Sequence, residues 1–511
     1  MGGSGDVPRP GVTPPVLDRR RILSARTSTV RFPVPFSPLA VRRNWLFCAV
    51  LLAGVVLRVV TMLGFRGVLW FNDSYDFVRI ADDPFPHPLR PSGYGLFLWA
   101  LKPFHSLMLI TALQHAAIVG VAGLGYRMLV RNFEVRRTWA ALAVTPVLLD
   151  SYQIELEHLL LSDTVFTVLV FGAMLLLAKP GATGWRRAAL VGTLLGLASV
   201  TRTIGLPLFL IALLYLLVRR TRWPVHVALA VTFVLPVGAY ATWFQQEHGR
   251  FQMTGVDGIF LWGRAAAFAD CDRFTPPPDI AKLCPYGAKD DRPASSHQIW
   301  EDNSPTGWSN GEAFDEETNA RAQRFAFWAI KNQPLDYLRV VSYDFFVRTF
   351  SWHRSRYPTV GTEARYHFPT KPAARKPDLP VLGGGDRREV VDEYSHGTGR
   401  THIVDPYAGV MRDYQKHVSV PGTVLGGVLL AGAAGIVWRR ARARTALFWT
   451  SAVTLLAVPP VTVDFDYRYV LPALPFACFA AAMAWGRRVP AVLPEPEPAE
   501  DAAPEVEPAD A

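Results

Sequence analysis

The feature that most constrains this chain is an alternation: apolar runs near membrane length, each ending at arginines. A helix needs ~20 apolar residues to cross ~30 Å of hydrocarbon. Trp45 to Gly64, Leu107 to Val130 and Gly422 to Trp438 approach that length. Arg42-Arg43, Arg136-Arg137, Arg186-Arg187, Arg219-Arg220, Arg439-Arg440 and Arg487-Arg488 fall at alternate run ends, as the positive-inside rule requires. Counting the alternation predicts about ten spans with both termini inside. The expected fold class is an all-α polytopic membrane protein with a mixed extracytoplasmic region. Composition agrees, since the 511 residues are only 19% charged, against ~25% in soluble domains. The net charge of +10 reads as topology, because nucleic-acid binding needs a contiguous basic face and none is present.

The same pattern divides the chain. Residues 1–44 are rich in Pro, Gly and Arg and read as a disordered basic cytoplasmic tail. Residues 45–244 form an N-terminal transmembrane module, interrupted by a polar first outer loop at 65–92. Residues 245–421 are polar, rich in Trp, Pro and Asp, and lack a membrane-length run, so an extracytoplasmic region is expected there. Within it, Glu312 to Asn332 and Asp336 to Trp352 carry aromatic and aliphatic residues at helical spacing. Residues 422–488 supply the C-terminal transmembrane helices, and 489–511 read as a disordered acidic cytoplasmic tail. Cys271 and Cys284 flank Pro276-Pro277-Pro278; a disulfide is favoured over free thiols if that region faces an oxidising compartment. Gly383-Gly384-Gly385-Asp386 reads as a turn, because no strand-then-helix context for a phosphate cradle surrounds it.

Ionisable residues gather on the expected outer side. The first loop carries Asp73, Asp76, Asp82, Asp83, His87 and Arg90; Asp150, Glu155, His158, Asp163, Arg202 and Arg468 fall on the same side. Taken singly, each fits a solvated helix end. Together they resemble a substrate path, since charges at a bilayer tend to line cavities. Arg58, inside the first run, either snorkels or pairs with an acid of the following loop. The residue types suit sugar transfer from a lipid phosphate: a carboxylate to take the acceptor proton and guanidinium forks to hold the departing phosphate. Asp73 with Arg90, Arg202 and Arg468 supplies those parts. His87, His158 and Asp163 are candidates to contact the acceptor or line the site, and Asp76, Asp82 and Asp83 read as solvated.

Ordered motifs carry a family resemblance. Asp73 follows the first helix, Arg90-Pro91 precedes the aromatic-rich Tyr94 to Trp99, and Leu161-Ser162-Asp163-Thr164-Val165-Phe166 opens a middle helix. Gly196-Leu197-Ala198-Ser199-Val200-Thr201-Arg202 and Tyr467-Arg468-Tyr469-Val470-Leu471-Pro472 follow in order. The chain thereby resembles the GT-C superfamily of polyprenyl-phosphate-dependent glycosyltransferases, in the branch of protein O-mannosyltransferases and lipid A aminoarabinose transferases. The resemblance covers about residues 44–488. It implies Asp73 as catalytic base, Arg90 as a carrier-phosphate contact, and Arg202 and Arg468 as further phosphate-side residues. Many protein mannosyltransferases have Asp-Glu in the first loop, where this chain has Asp73-Ser74. The Trp-Trp-Asp-Tyr-Gly motif of oligosaccharyltransferases and a His-Pro-Asp-Glu stretch are absent, which argues against N-glycosylation and a dolichol-linked-oligosaccharide mannosyltransferase.

The expected function is transfer of a sugar, with inversion, from a polyprenyl-phosphate carrier to a protein, lipid or cell-wall hydroxyl. High Arg, Ala and Pro usage points to a GC-rich bacterial source, hence the cytoplasmic (plasma) membrane with the site on its outer face. A divalent cation cofactor stays open, because Asp73, Asp76 and Asp163 suit either metal binding or proton sharing. Two alternatives remain: a lipid or ion transporter or flippase, and a non-catalytic assembly subunit of the same shape. The first expects mid-membrane polar groups and internal repeats, neither of which the sequence shows.

Overall fold

A computed structural model describes residues 2–3, 38–287, 289, 292, 295–307, 311, 314–352, 366–372, 377–397, 399–438 and 442–484. Most of the expected basic tail, all of the acidic one, and the arginines at 439–440 and 487–488 lie outside the described residues. Pro38–Arg43 forms a short helix by itself.

The chain is a helical, multi-pass membrane protein. Among the described residues, five helices are long and apolar enough to cross a bilayer: Trp45–Gly64, Leu107–Asn132, Trp223–His248, Ala443–Thr462 and Tyr467–Ala484. A sixth span results if Tyr407–His417 and Gly422–Val437, bent by 59° at a short break, count as one. The difference from about ten has a physical basis. Arg137–Leu149, Asp163–Ala178 and Gly205–Val218 are apolar but have only 13, 16 and 14 residues, short of the ~20 that cross a bilayer unaided. The largely apolar stretch from Leu156 to Ala178 is likewise divided, between the helices Ser151–His158 and Asp163–Ala178. Backbone bonds replace helix between them: Leu69 N–H donates to His158 O (3.0 Å) and Leu160 N–H to Leu69 O (3.1 Å).

The first loop is not a loop throughout. Asn72–Asp82 is an 11-residue helix, amphipathic in the sense that Tyr75, Phe77, Val78 and Ile80 are buried. Ser74 starts it: its Oγ accepts from Phe71 N–H (2.9 Å) and donates to Leu160 O (2.9 Å). Ser74 is therefore a buried bolt between this helix and the 159–162 break.

In the 245–421 region, expected to be mixed, nearly all the regular structure of the described residues is helical, and irregular stretches join the helices. The described residues hold one two-stranded sheet, Phe65–Arg66 antiparallel to His402–Ile403. A separate apolar core lies under Asp257–Ala266 and Glu316–Asn332, around Trp262, Phe268 and Phe325. Cys271 and Cys284 are joined beside it. Gly383, Gly384 and Gly385 turn with positive φ, and Asp386 caps the Arg387–Ser395 helix by accepting from Arg388 and Glu389 N–H. That helix packs on Asn72–Asp82.

Candidate active site

Two chain reversals bring the site together. Gly93, three residues after Arg90, touches the end of the Trp185–Thr201 helix: a Cβ there would lie 2.5 Å from Val200 O. Only glycine permits that approach, and it sets the Arg90 turn beside Arg202. The turn is stitched by Ser92 Oγ, which accepts from His87 N–H (2.9 Å) and donates to Phe85 O (2.8 Å). At the other end of the chain, Asp466 accepts from Arg468 N–H (3.2 Å) and starts the short turn Tyr467–Tyr469.

Asp73 sits between two arginines. Arg90 Nη1 is 2.8 Å and Arg468 Nη1 2.9 Å from the same Asp73 Oδ2. The Arg468 guanidinium also stacks over Phe71 (4.9 Å) and Tyr469 (5.2 Å). Arg202 lies over the same Tyr469 ring at 5.3 Å and pairs with Asp163. Asp73, Arg90, Arg202, Arg468 and Asp163 are thus brought into one cluster with Tyr469 at its centre. A narrow cleft beside it is lined by Thr349, Phe465, Asp466 and Tyr469.

Asp73 and Asp76 are shifted in opposite directions. Burial works against ionisation of Asp73, but the Arg90 and Arg468 charges outweigh it and hold the carboxyl well below the usual range. Asp76, read from sequence as solvated, is instead part of the site: its Oδ2 is 3.0 Å from Arg90 Nη2. Burial, with the Asp73 charge adding to it against Arg90, pushes Asp76 up to about 6. Residues three apart on a helix share a face, so the register of Asn72–Asp82 is the signal that pairs Asp76 with Asp73. Asp82 is likewise not solvated; it meets Lys102 Nζ at 3.1 Å. Asp83, by contrast, is largely exposed and touches Arg79.

His87 is wholly buried against this cluster. Its Nδ1 accepts from Leu89 N–H (3.2 Å), which leaves the ring proton on Nε2, 3.8 Å from Asp76 Oδ2. Burial and the neighbouring Arg90 charge keep the imidazole neutral, well below its ordinary value. Sequence reasoning missed Tyr469 as a platform and Arg387, whose guanidinium stacks 4.5 Å over Tyr75.

His158 belongs elsewhere. Its Nε2 meets Phe65 O (2.7 Å) and its Nδ1 meets His115 Nε2 (3.1 Å). His115 Nδ1 meets Glu157 Oε2 (2.8 Å), and Arg58 closes on both Glu157 oxygens at 2.7 Å. Arg58 therefore neither snorkels nor pairs with the first loop; its partner is an acid that the sequence reading passed over. Asp150 also has a structural post, accepting from Tyr152, Gln153 and Val420 N–H. Among the described residues, no group of three or more His, Cys, Asp or Glu side chains could hold a metal ion.

No family model matches the chain, and no curated protein does. Among solved structures, the chain is similar to the crystal structure of ArnT from Cupriavidus metallidurans in the apo state. The two share 14% identity over 87% of this chain and 77% of that one, with a TM-score of 0.32. A likeness that shallow carries no weight on function, which the geometry around Asp73 must bear.

Proposed function

We propose that the chain is a membrane glycosyltransferase of the GT-C type. It moves a sugar from a polyprenyl-phosphate carrier to an acceptor hydroxyl on the outer side of the plasma membrane, with inversion. The observation that carries this reading is one carboxylate held by two guanidinium groups, with a third arginine on the same aromatic ring. A phosphate would compete with the acids for these groups, since Arg90 Nε and Arg468 Nε find no hydrogen-bond partner among the described residues and guanidinium forks fit phosphate oxygens.

The chemistry follows from that competition. A carrier phosphate would engage Arg90, Arg202 and Arg468 and so loosen the hold of Arg90 and Arg468 on Asp73. With less cationic charge on it, the Asp73 carboxylate becomes a stronger base. It takes the acceptor O–H proton as that oxygen bonds to the anomeric carbon. The bond from that carbon to the phosphate oxygen breaks, and its electron pair leaves on the phosphate, where the arginines stabilise it. Asp76 completes the grip on Arg90, and the acceptor approaches from the side of the 245–421 region. His87 and Asp163 stand against the site through Asp76 and Arg202 respectively.

The test is direct. Membranes carrying the chain are incubated with labelled polyprenyl-phosphate sugars, and label is followed into protein, lipid and polymer fractions. Label should move with the native chain and not with Asp73→Asn. Near-native transfer by purified, folded Asp73→Asn would remove Asp73 as base. Transport of the label without transfer would favour a flippase.

A further inference from the structure

Residues 334–352 invert the usual rule of burial. Pro334–Ser342 continues as a single wider turn, Tyr343–Arg348. Its outward face repeats at helical spacing: Leu335, Leu338, Tyr343 and Phe346 are all exposed, Leu335 by 79% and Phe346 by 63%. Trp352 follows at 59%. The acid Asp344 is the buried residue, at 1% exposure, held by Arg264 (2.6 Å) and Arg348 (2.8 Å). Asp336 is turned to Lys289 (2.8 Å). The outward face thus carries large apolar groups, Arg339 and no acid, where a water-facing helix would carry the reverse.

The position of the segment decides what covers it. Near its start, Tyr337 Oη donates to Val461 O (3.1 Å), and Arg264 bridges Asp344 to Pro460 O (3.0 Å). These carbonyls close the candidate span Ala443–Thr462. At its end, Gly422 N–H donates to Ser351 O (2.9 Å), where the Gly422–Val437 helix begins. Those two helices follow one another in the chain and pack together, so the end of one and the start of the other lie at the same end of the pair, where the candidate span Ala443–Thr462 reaches its boundary. The segment is pinned to that boundary at both ends. Its apolar face continues into exposed Val461 and Val424 of those two helices.

We infer that residues 334–352 form an interfacial helix lying in the membrane plane, with Leu335, Leu338, Tyr343, Phe346 and Trp352 seated at the headgroup–acyl boundary of the bilayer. Tyr and Trp favour that depth. An acid-free face bearing arginine suits lipid phosphates. The region beyond the Trp223–His248 span therefore includes a membrane contact of its own. This inference needs no particular chemistry at Asp73.

The full-length chain is spin-labelled at Leu338→Cys or Phe346→Cys in a Cys48→Ala, Cys478→Ala background. It is reconstituted in phosphatidylethanolamine–phosphatidylglycerol nanodiscs. Collision with apolar oxygen and with a water-soluble nickel chelate is read by power saturation, with Leu430→Cys and Glu393→Cys as lipid and water references. The nickel-to-oxygen ratio at 338 and 346 should fall several-fold below that at 393, approaching that at 430. A ratio equal to that at 393 would overturn the inference. So would spin–spin broadening at 338 and 346 that marks a second copy of the chain on this face.

Discussion

Two buried charge clusters of this protein look alike in composition and behave oppositely. Around Glu157, the hydrogen-bonding capacity is used. Glu157 Oε1 accepts from Arg58 Nη2 and Gln153 Nε2, and Oε2 from Arg58 Nε and His115. Arg58 Nη1 is spent on the Gly54 and Leu148 carbonyls. His115 Nε2 meets His158 Nδ1 at 3.1 Å, and His158 Nε2 meets Phe65 O. Around Asp73, by contrast, Arg90 Nε, His87 Nε2 and Arg468 Nε find no hydrogen-bond partner among the described residues. Buried polar groups are rarely left so. The closed cluster fastens helices, and the open one is built to receive something.

The widest separation of the two should come from removing one acid in each. Asp73→Asn is expected to lower sugar transfer about 10²–10⁴-fold, the usual weight of a general base, while the unfolding midpoint falls by less than the loss of Glu157 would cause. Asp76 and Asp466 still face the arginines it leaves. Transfer assays and thermal unfolding of the same purified sample check both halves.

Glu157→Ala should do the reverse. Breaking a buried pair costs about 3–5 kcal/mol because the surviving charge has no water to turn to. The readout is loss of folded yield in detergent, or a much lower unfolding midpoint. Any folded fraction should keep its activity per molecule. A fully stable Glu157→Ala chain would show that the Arg58 network is not what fastens the helices.

The contrast also marks what sequence could and could not say. Asp73, Arg90, Arg202 and Arg468 lie far apart in the chain, yet ordered motifs named them and the fold brings them together. Asp76 was lost because a charged stretch after a span reads as loop; only the helix register sets it beside Asp73. Glu157 sits among apolar residues that already explained the segment as a span, so its charge drew no notice although an intramembrane acid needs a partner. The count of long apolar helices differs from the expected ten for length alone, since residue patterns do not say whether a 13-residue apolar helix crosses a bilayer or stops inside the fold. Residues 334–352 showed their helical period but not which face was buried, which depends on where Val461 and Gly422 lie.

A smaller effect is expected from Arg202→Lys. The ammonium keeps the charge but loses the fork and its stacking on Tyr469. Transfer should fall about tenfold, in line with one lost charge-assisted hydrogen bond, chiefly through weaker donor affinity. A drop in turnover at saturating donor, with affinity unchanged, would instead place Arg202 at the reacting centre.

The smallest effect is also the one that separates Asp73 from Asp76. The Asp76 carboxyl is raised from its ordinary value to about 6, so ionisation disfavours the folded chain. Stability linked to it is complete below its unfolded pKa, near 4, and is lost as pH rises through about 6. Asp73 has the opposite sign: it is lowered, and its contribution is present above about 4 and lost only in stronger acid. Between pH 4 and 7 the two acids therefore part company. The unfolding midpoint of Asp76→Asn should gain on the native chain across that window, because the variant has no proton to lose there. Parallel midpoints, or a native chain that gains on the variant as pH rises, would mean that Arg90 holds both acids ionised and that the pair acts as one anionic seat.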